Sequence, residues 1–222
     1  MNRLLALVAT LCLSATLLAG PVTIQPNQPD ATESIAAALE QAGTNGGGEI
    51  YLPAGTYRIT RTLQIPGGVV LRGENRAATR LVVPKESTFP VLSLEGVRDV
   101  IIRNLTIAQE GEISRNSKGV GIAVNDGSRF ILVENVATKG FSVGFGVGRL
   151  DKAECQNLVF RGCRAEYSRT FGFDFNNCRE VLVDGCYSYY NWLDGFKFRK
   201  KTRDITLRGG EASYNGTSRF EI

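Results

Sequence analysis

The 222-residue sequence predicts an all-β solenoid of short parallel strands stacked coil upon coil, on three observations. First, five phrases align letter by letter: RDVIIRNLTI from Arg98, RFILVENVAT from Arg129, QNLVFRGCRA from Gln156, REVLVDGCYS from Arg179 and RDITLRGGEA from Arg203. Their starts lie 31, 27, 23 and 24 residues apart, a base period near 23 with insertions, which marks a repeat architecture. Second, GIAV from 121, GFGV from 144, GFDF from 172, GFKF from 195 and RFEI from 219 follow in the same register. Period-two alternation in such short runs turns the apolar pair inward and leaves the residue between them facing out. Third, a β-sandwich, the other fold made of many short strands, has no reason to repeat column by column. A parallel β-helix does.

In chain order, residues 1–20 read as an export signal: Arg3 precedes the apolar run LLALVATLCLSATLLAG, too short for a comfortable membrane span, with cleavage after Ala19 or Gly20. No stable membrane span remains once it is removed, which places the mature protein outside the cytoplasm, secreted or periplasmic. Residues 21–48 form an N-terminal extension with a short helix over DATESIAAALEQAG. Asp30 and Glu33 have capping-box spacing, Ile35, Ala38, Leu39 and Ala42 share a face, and Gly43 is the expected stop. A helix there would cap the open strand edges at the end of the solenoid. Residues 49–222 form the β-helix itself, with GGVVLRGEN near Gly67 as a looser early repeat. The strand pattern is still running at Ile222, which reads as C-terminal truncation.

Within each coil, one bend falls at Arg103-Asn104, Glu134-Asn135, Arg161-Gly162, Asp184-Gly185 and Arg208-Gly209, where Asn or Gly tolerates left-handed backbone angles. Val100, Ile131, Leu158, Val181 and Ile205 make one interior column, and Ile102, Val133, Phe160, Val183 and Leu207 another. Ile101, Leu132, Val159 and Leu182 face outward, an apolar strip expected to be covered. Past the signal stand four cysteines. Cys163 and Cys186 fall in an interior column as buried thiols, whereas Cys155 and Cys178 are one rung apart, which permits a bridge in an exported protein. No C-x-x-C spacing occurs, so metal binding by cysteine is not expected.

Composition excludes several classes. With 43% hydrophobic and 22% charged residues the chain is globular. A formal charge of +4 suits a partner bearing carboxylates, while a nucleic-acid binder would show a denser basic stripe.

The stretch GGGEIYLPAGTYRITRTLQIPGGVVLRGEN resembles the N-terminal coil of the pectin-lyase-like superfamily, in its pectate-lyase-type and polygalacturonase-related branch. The resemblance implies a right-handed parallel β-helix but fixes no reaction, since the scaffold hosts lyases, hydrolases, epimerases and non-catalytic proteins. The phrases FGFDFN and NWLDGF are similar to two segments of mannuronan C5-epimerases. That resemblance makes Asp174 the catalytic-motif aspartate and Asp194 the acid of the second segment. Phe171 stands where that family has tyrosine, Phe175 where it has proline, and Asn176 where it has histidine; a further family histidine falls near Ser218. The chain contains no histidine at all, so the family's proton-transfer set is absent in its usual form.

Asp174 and Lys197 occupy the same outward slot on successive coils, in a column running Ala123, Gly146, Asp174, Lys197 and Glu221. Two residues along run Asn125, Gly148, Asn176 and Arg199. Both columns begin small and become polar, which suits an extended chain lying across the sheet. For a polyuronate, breaking the C5–H bond requires neutralising the sugar carboxylate and placing a base on the proton. Arg199 would hold the carboxylate in a fork, with Asn176 donating a further hydrogen bond and Lys197 binding nearby. Arginine is the base in some β-helix lyases, a second role open to Arg199. Asp174 and Glu221 are oxygen ligands of the kind calcium takes. For hydrolysis, Asp174 and Glu221 stand two rungs apart, about 9–10 Å at the backbone, with Asp194 as a third acid. An Asp–Lys–Glu ladder is also what plain charge pairing between strands produces, and Lys200 and Lys201 read as a solvated turn. Tyr167, Tyr190 and Tyr214, with Trp192 beside them, form either a sugar-stacking strip or a packed ladder. Expectation therefore centres on an acidic-polysaccharide lyase or C5-epimerase-like enzyme, against a glycoside hydrolase and a non-catalytic glycan-binding β-helix.

Overall fold

The computed structural model describes residues 20–113 and 116–216; Ser218, Glu221 and the apolar run expected to be an export signal, up to residue 19, lie outside the described residues. Every paired strand is parallel, and the coils make three walls. The first runs from Val22–Thr23 and Gly48–Leu52 to Cys178–Asp184 and Arg203–Arg208. The second includes Gly55–Arg58, Thr79–Val83, Arg164–Glu166, Tyr187–Tyr189 and Glu211–Ser213. Arg98–Gln109 and Arg129–Lys139 pass unbroken from first wall to second. The third wall is a separate six-stranded sheet: Leu63–Gln64, Pro90–Glu95, Val120–Asn125, Val143–Val147, Phe171–Phe175 and Phe196–Phe198.

Vertical register is as the repeat predicts. Val100, Ile131, Leu158, Val181 and Ile205 are successive partners, as are Ile102, Val133, Phe160, Val183 and Leu207. The bend between the first two walls has positive φ at Asn104, Asn135, Gly162, Gly185 and Gly209. Inside, the third wall contributes a ring column: Phe145 stacks on Phe173 at 4.5 Å and Phe173 on Phe196 at 4.7 Å, with Phe160 edge-on at 6.3 Å. Burying a ring of this size contributes roughly 1.5–3 kcal/mol.

The repeated glycine of GIAV, GFGV, GFDF and GFKF has a steric cause. At Gly172 a Cβ would lie 2.1 Å from Ser188 Oγ and 2.7 Å from the Gly195 carbonyl, because this corner brings the second and third walls together. Gly144 is equally confined, by Thr138 Oγ1 at 2.5 Å. The glycine column lets the third wall close onto the core.

The N-terminal helix spans Thr32–Thr44 and buries Thr32, Ile35, Ala38, Leu39 and Ala42 against the first coils. Its ends differ from the expectation. Ala31 is the N-cap; Asp30 Oδ1 accepts the Thr32 N–H at 2.8 Å, while Glu33 pairs with Arg61 instead of closing a capping box. Gly43 does not stop the helix; it lies inside, where a Cβ would meet Pro66 at 2.9 Å.

On the outside of the first wall, Arg72, Arg103, Glu134, Arg161, Asp184 and Arg208 share a column. Arg72 bonds Glu49, and Arg161 and Arg208 converge on Asp184. The apolar strip Ile101, Leu132, Val159 and Leu182 runs beside it in register, and Val159 keeps only 7% of its surface. Arginine stems of the neighbouring column flank the strip, as long charged side chains do. All four cysteines are buried and free. Cys155 and Cys178 are register partners, and burial raises their thiols to about 11 and about 12, so neither is a nucleophile at neutral pH. Among the described residues no helix is long and apolar enough to cross a membrane.

Candidate functional site

The outer face of the third wall brings the predicted acid and base together. Asp174 pairs in register with Gly146 before it and Lys197 after it, so one outward slot holds glycine, acid and base on three successive coils. Phe173 and Phe175 on either side point into the core and fix the direction of Asp174. Phe171 also faces out, because Gly172 fills the corner position between.

Arg199 crosses back over the coil and its Nε donates to Asp174 Oδ1 at 2.6 Å. Its guanidinium lies over the Phe171 ring, 4.8 Å from the centroid, and Lys197 Nζ is 5.8 Å from the same ring. Lys197 is bound at 2.8 Å to Asp194. Two ion pairs thus share one aromatic platform, which the sequence shows only as a departure from a tyrosine. The Asp174 side chain is 17% exposed, Arg199 41%. Burial pushes the Asp174 carboxyl above its usual 3.8, against the Arg199 hydrogen bond, the Arg199 charge and Lys197, with Asp194 adding to the rise. Burial wins, which is how proton-transferring carboxylates are tuned.

Asn176 flanks the cluster, and its Oδ1 is buried with no hydrogen-bond partner among the described residues. Gly146 keeps the floor low beside the acid: a Cβ there would crowd Val120 Cγ1 at 3.3 Å and touch Val143 Cγ1 at 3.7 Å. Gly148 is different: its φ of +72° and the Asn176 carbonyl, 1.7 Å from any Cβ, demand glycine for the turn and not for a ligand.

Tyr190 and Trp192 precede this face, in the turn from the second wall to the third. Tyr167, Tyr190 and Tyr214 stack on one another at 5.1 and 4.9 Å, each with positive φ, so both faces of Tyr190 are covered within the column, while Tyr214 at its end is 64% exposed. For Tyr190 this is the packed ladder, because a sugar needs a free face and the rings on either side cover both of its own. Nor do the described residues suit calcium: Asp174 and Asp194 are each bonded to a cation, and no three acidic, cysteine or histidine side chains converge. Glu221, the other expected ligand and acid, lies outside the described residues.

Sequence comparison agrees with this architecture. A family model described as "Right handed beta helix region" matches residues 66–212, and one described as "Rhamnogalacturonase A/epimerase, pectate lyase-like" matches residues 27–94. The mannuronan C5-epimerase AlgE4 of Azotobacter vinelandii is 24% identical over 194 residues, covering 79% of this chain and 34% of that protein. The chain therefore spans about a third of the length of that relative. Among solved structures, the AlgE4 A-module superposes with a TM-score of 0.73 at 24% identity, covering 86% of this chain and 55% of that one. The tailspike gp49 of Acinetobacter baumannii bacteriophage Fri1, a capsular polysaccharide depolymerase, gives 0.66 at 18% identity, with 89% and 40% covered. With the family model matching most of the coils and the register holding through them, the chain belongs to the right-handed β-helix family, within the pectin-lyase-like superfamily.

Proposed function

We propose that this is an exported enzyme that binds a uronate-containing polysaccharide across its third wall and acts at C5, as a lyase or C5-epimerase-like enzyme. The observation that carries the proposal is the Asp174–Arg199 pair: a carboxylate whose proton affinity is raised by burial, bonded to a cation exposed enough to meet a ligand. In this scheme Arg199 and Lys197 take up the sugar carboxylate, which makes the C5 proton easier to remove. As Arg199 turns to the sugar, Asp174 loses its partner and becomes the stronger base beside that proton. For elimination, Asp174 then delivers the proton it took from C5 to the departing glycosidic oxygen as the C4–O bond breaks and the C4–C5 double bond forms; for epimerisation, water on the opposite face of C5 supplies the proton that completes the inversion, and Asp174 keeps the one it removed. Similarity to a mannuronan C5-epimerase and to a capsular polysaccharide depolymerase supports a polysaccharide ligand, and the apolar run after Arg3 supports export.

A second reading, glycan binding without turnover, is favoured by a specific feature: both described acids of the cluster are already neutralised by cations, and the chain has no histidine. Incubation with pectate and alginate separates the two. The unsaturated-uronate ultraviolet chromophore marks a lyase, inverted C5 signals in proton NMR mark an epimerase, and new reducing ends without either mark a hydrolase. Affinity with none of these products would defeat the catalytic reading.

A further inference from the structure

The four buried cysteines make two vertical pairs that the acid–base cluster does not use. Cys155 and Cys178 are register partners. Cys163 and Cys186 stand opposite each other too, because Arg161 pairs with Asp184 and Arg164 with Tyr187. Each pair is 23 residues apart, one coil. Successive coils set Cα atoms about 4.8 Å apart, within the roughly 4.4–6.8 Å that a disulfide spans. Spacing therefore allows a bridge in either pair, and the direction of the thiols separates them.

Cys155 and Cys178 turn away from each other. Cys155 Sγ donates to the Val124 carbonyl on the coil before, at 3.6 Å, and Cys178 Sγ to Thr202 Oγ1 on the coil after, at 4.0 Å. Cys163 and Cys186 turn the same way. Their Sγ atoms reach the Val133 carbonyl at 3.3 Å and the Phe160 carbonyl at 3.4 Å, and Val133 and Phe160 are themselves register partners. The backbone arrives at both along the same path, with φ of +59° at Gly162 and at Gly185. The two thiols also sense each other: burial and Cys186 raise Cys163, while Cys163 holds Cys186 below its usual 9.0. Leu105 and Val136 precede them in the column and Gly210 follows.

We infer that Cys163 and Cys186, and not Cys155 and Cys178, form a disulfide when the chain folds in an oxidising compartment, and that this bridge holds closed the coil that carries Asp174. The setting rests on the export half of the reading above; the choice of pair does not. The oxidant is a small disulfide of the glutathione class. One cysteine thiolate attacks a sulfur of it and releases the first glutathione; the other cysteine thiolate then attacks the protein sulfur of the mixed disulfide and releases the second. Two thiols are oxidised, one disulfide is reduced to two thiols, and the two cysteine protons end on the released glutathione. Because both cysteines are buried in the finished fold, this exchange precedes closure of the coils. Phe171, Gly172 and Asp174 all lie within the ring that the bridge closes.

Tryptic mapping tests the pairing, since Lys152, Arg161, Arg164, Arg169, Arg179 and Lys197 leave each cysteine on its own peptide. The full chain is unfolded and reduced, refolded either in a glutathione redox buffer or in dithiothreitol, then unfolded again and alkylated. The glutathione sample is expected to show the Cys163 peptide linked to the Cys186 peptide, with Cys155 and Cys178 alkylated. The linked chain should melt about 5–10 °C above the chain kept in dithiothreitol. Cys163→Val with Cys186→Val, which continues the column set by Val136, should melt alike in both buffers. Four alkylated cysteines, a Cys155–Cys178 link, or a melting difference that survives in the double variant overturns the inference. Equal melting of linked and reduced chains overturns its second half. Fractionation of cells making the full chain separates the export reading: a cytoplasmic chain that forms the bridge only on refolding sinks export and keeps the pairing, whereas a chain recovered outside the cytoplasm with four free thiols sinks the pairing and keeps export.

Discussion

Asp184 on the first wall and Asp174 on the third are both outward aspartates bonded to an arginine of the next coil, yet their environments push them in opposite directions. Asp184 receives two bonds from Arg208, at 3.0 and 2.9 Å, and a longer one from Arg161 on the coil before. The Arg208 hydrogen bond holds its carboxyl below 3.8, outweighing burial. Asp174 receives one bond, from Arg199 Nε, and burial lifts it above 3.8. A forked pair inside a ladder of alternating charge is saturated. A single bond beside glycine, on a buried carboxylate, leaves proton affinity and a low floor next to it. The letters D and R are common to both sites and the two side chains are about equally exposed, 17% at Asp174 and 22% at Asp184, so what separates a strut from a candidate catalytic group is how many bonds the acid receives against the protein packed around it.

The sharpest way to break the contrast is to neutralise each acid in turn. Asp174→Asn is expected to lower turnover on a uronate polymer by about 100-fold or more, as loss of a positioned proton-transfer group does, with the far-ultraviolet circular dichroism unchanged. Asp184→Asn should leave turnover within about twofold, and equal losses in the two variants would erase the distinction drawn here. A smaller effect is expected at the platform. Phe171→Leu removes the ring beneath Arg199, worth about 0.5–1 kcal/mol at an exposed site, and should weaken binding of the acidic ligand about two- to fivefold. Phe171→Tyr should retain it; a loss as large in Phe171→Tyr would point to packing and not to the cation.

The smallest effect lies in stability against pH, and its sign differs between the walls. Because the folded value of Asp184 is depressed, its contribution is present above 3.8 and is lost as pH falls through the lower folded value. The folded value of Asp174 is raised, so ionising it opposes folding as pH climbs from 3.8 through the higher folded value. In urea unfolding, Asp184→Asn should cost about 0.5 kcal/mol near neutrality and nothing in strong acid. Asp174→Asn should look progressively better relative to the unsubstituted chain as pH rises above 3.8. Parallel pH profiles for the two variants would mean that burial does not govern Asp174.

Much of this was readable in advance because stacking converts a period into a position. Asn104, Asn135, Gly162, Gly185 and Gly209 occupy the one bend that needs left-handed backbone, and that need is local. The shared slot of Asp174 and Lys197 followed from the same repeat. The Arg199 bond to Asp174 was not readable, since it crosses from one column to the next, and neither was the role of Phe171 beneath it. The glycines of GFDF and GFKF looked like part of a strand motif; only the meeting of two walls reveals that Gly172 stands against Ser188. The tyrosine column was visible as a column, but whether its faces are free depends on ring stacking distances that no spacing encodes.

By itself, then, the order of residues determined the coil length, the inward and outward columns and the slot in which acid and base meet, because these depend on alternation and period, both properties of the chain. Which carboxylate is saturated, which face is low enough for a polymer to lie on, and which glycines are there for the turn were decided by the tertiary structure. Those depend on distances between side chains from different coils, and hence on water excluded and hydrogen bonds completed only when the walls close around one core.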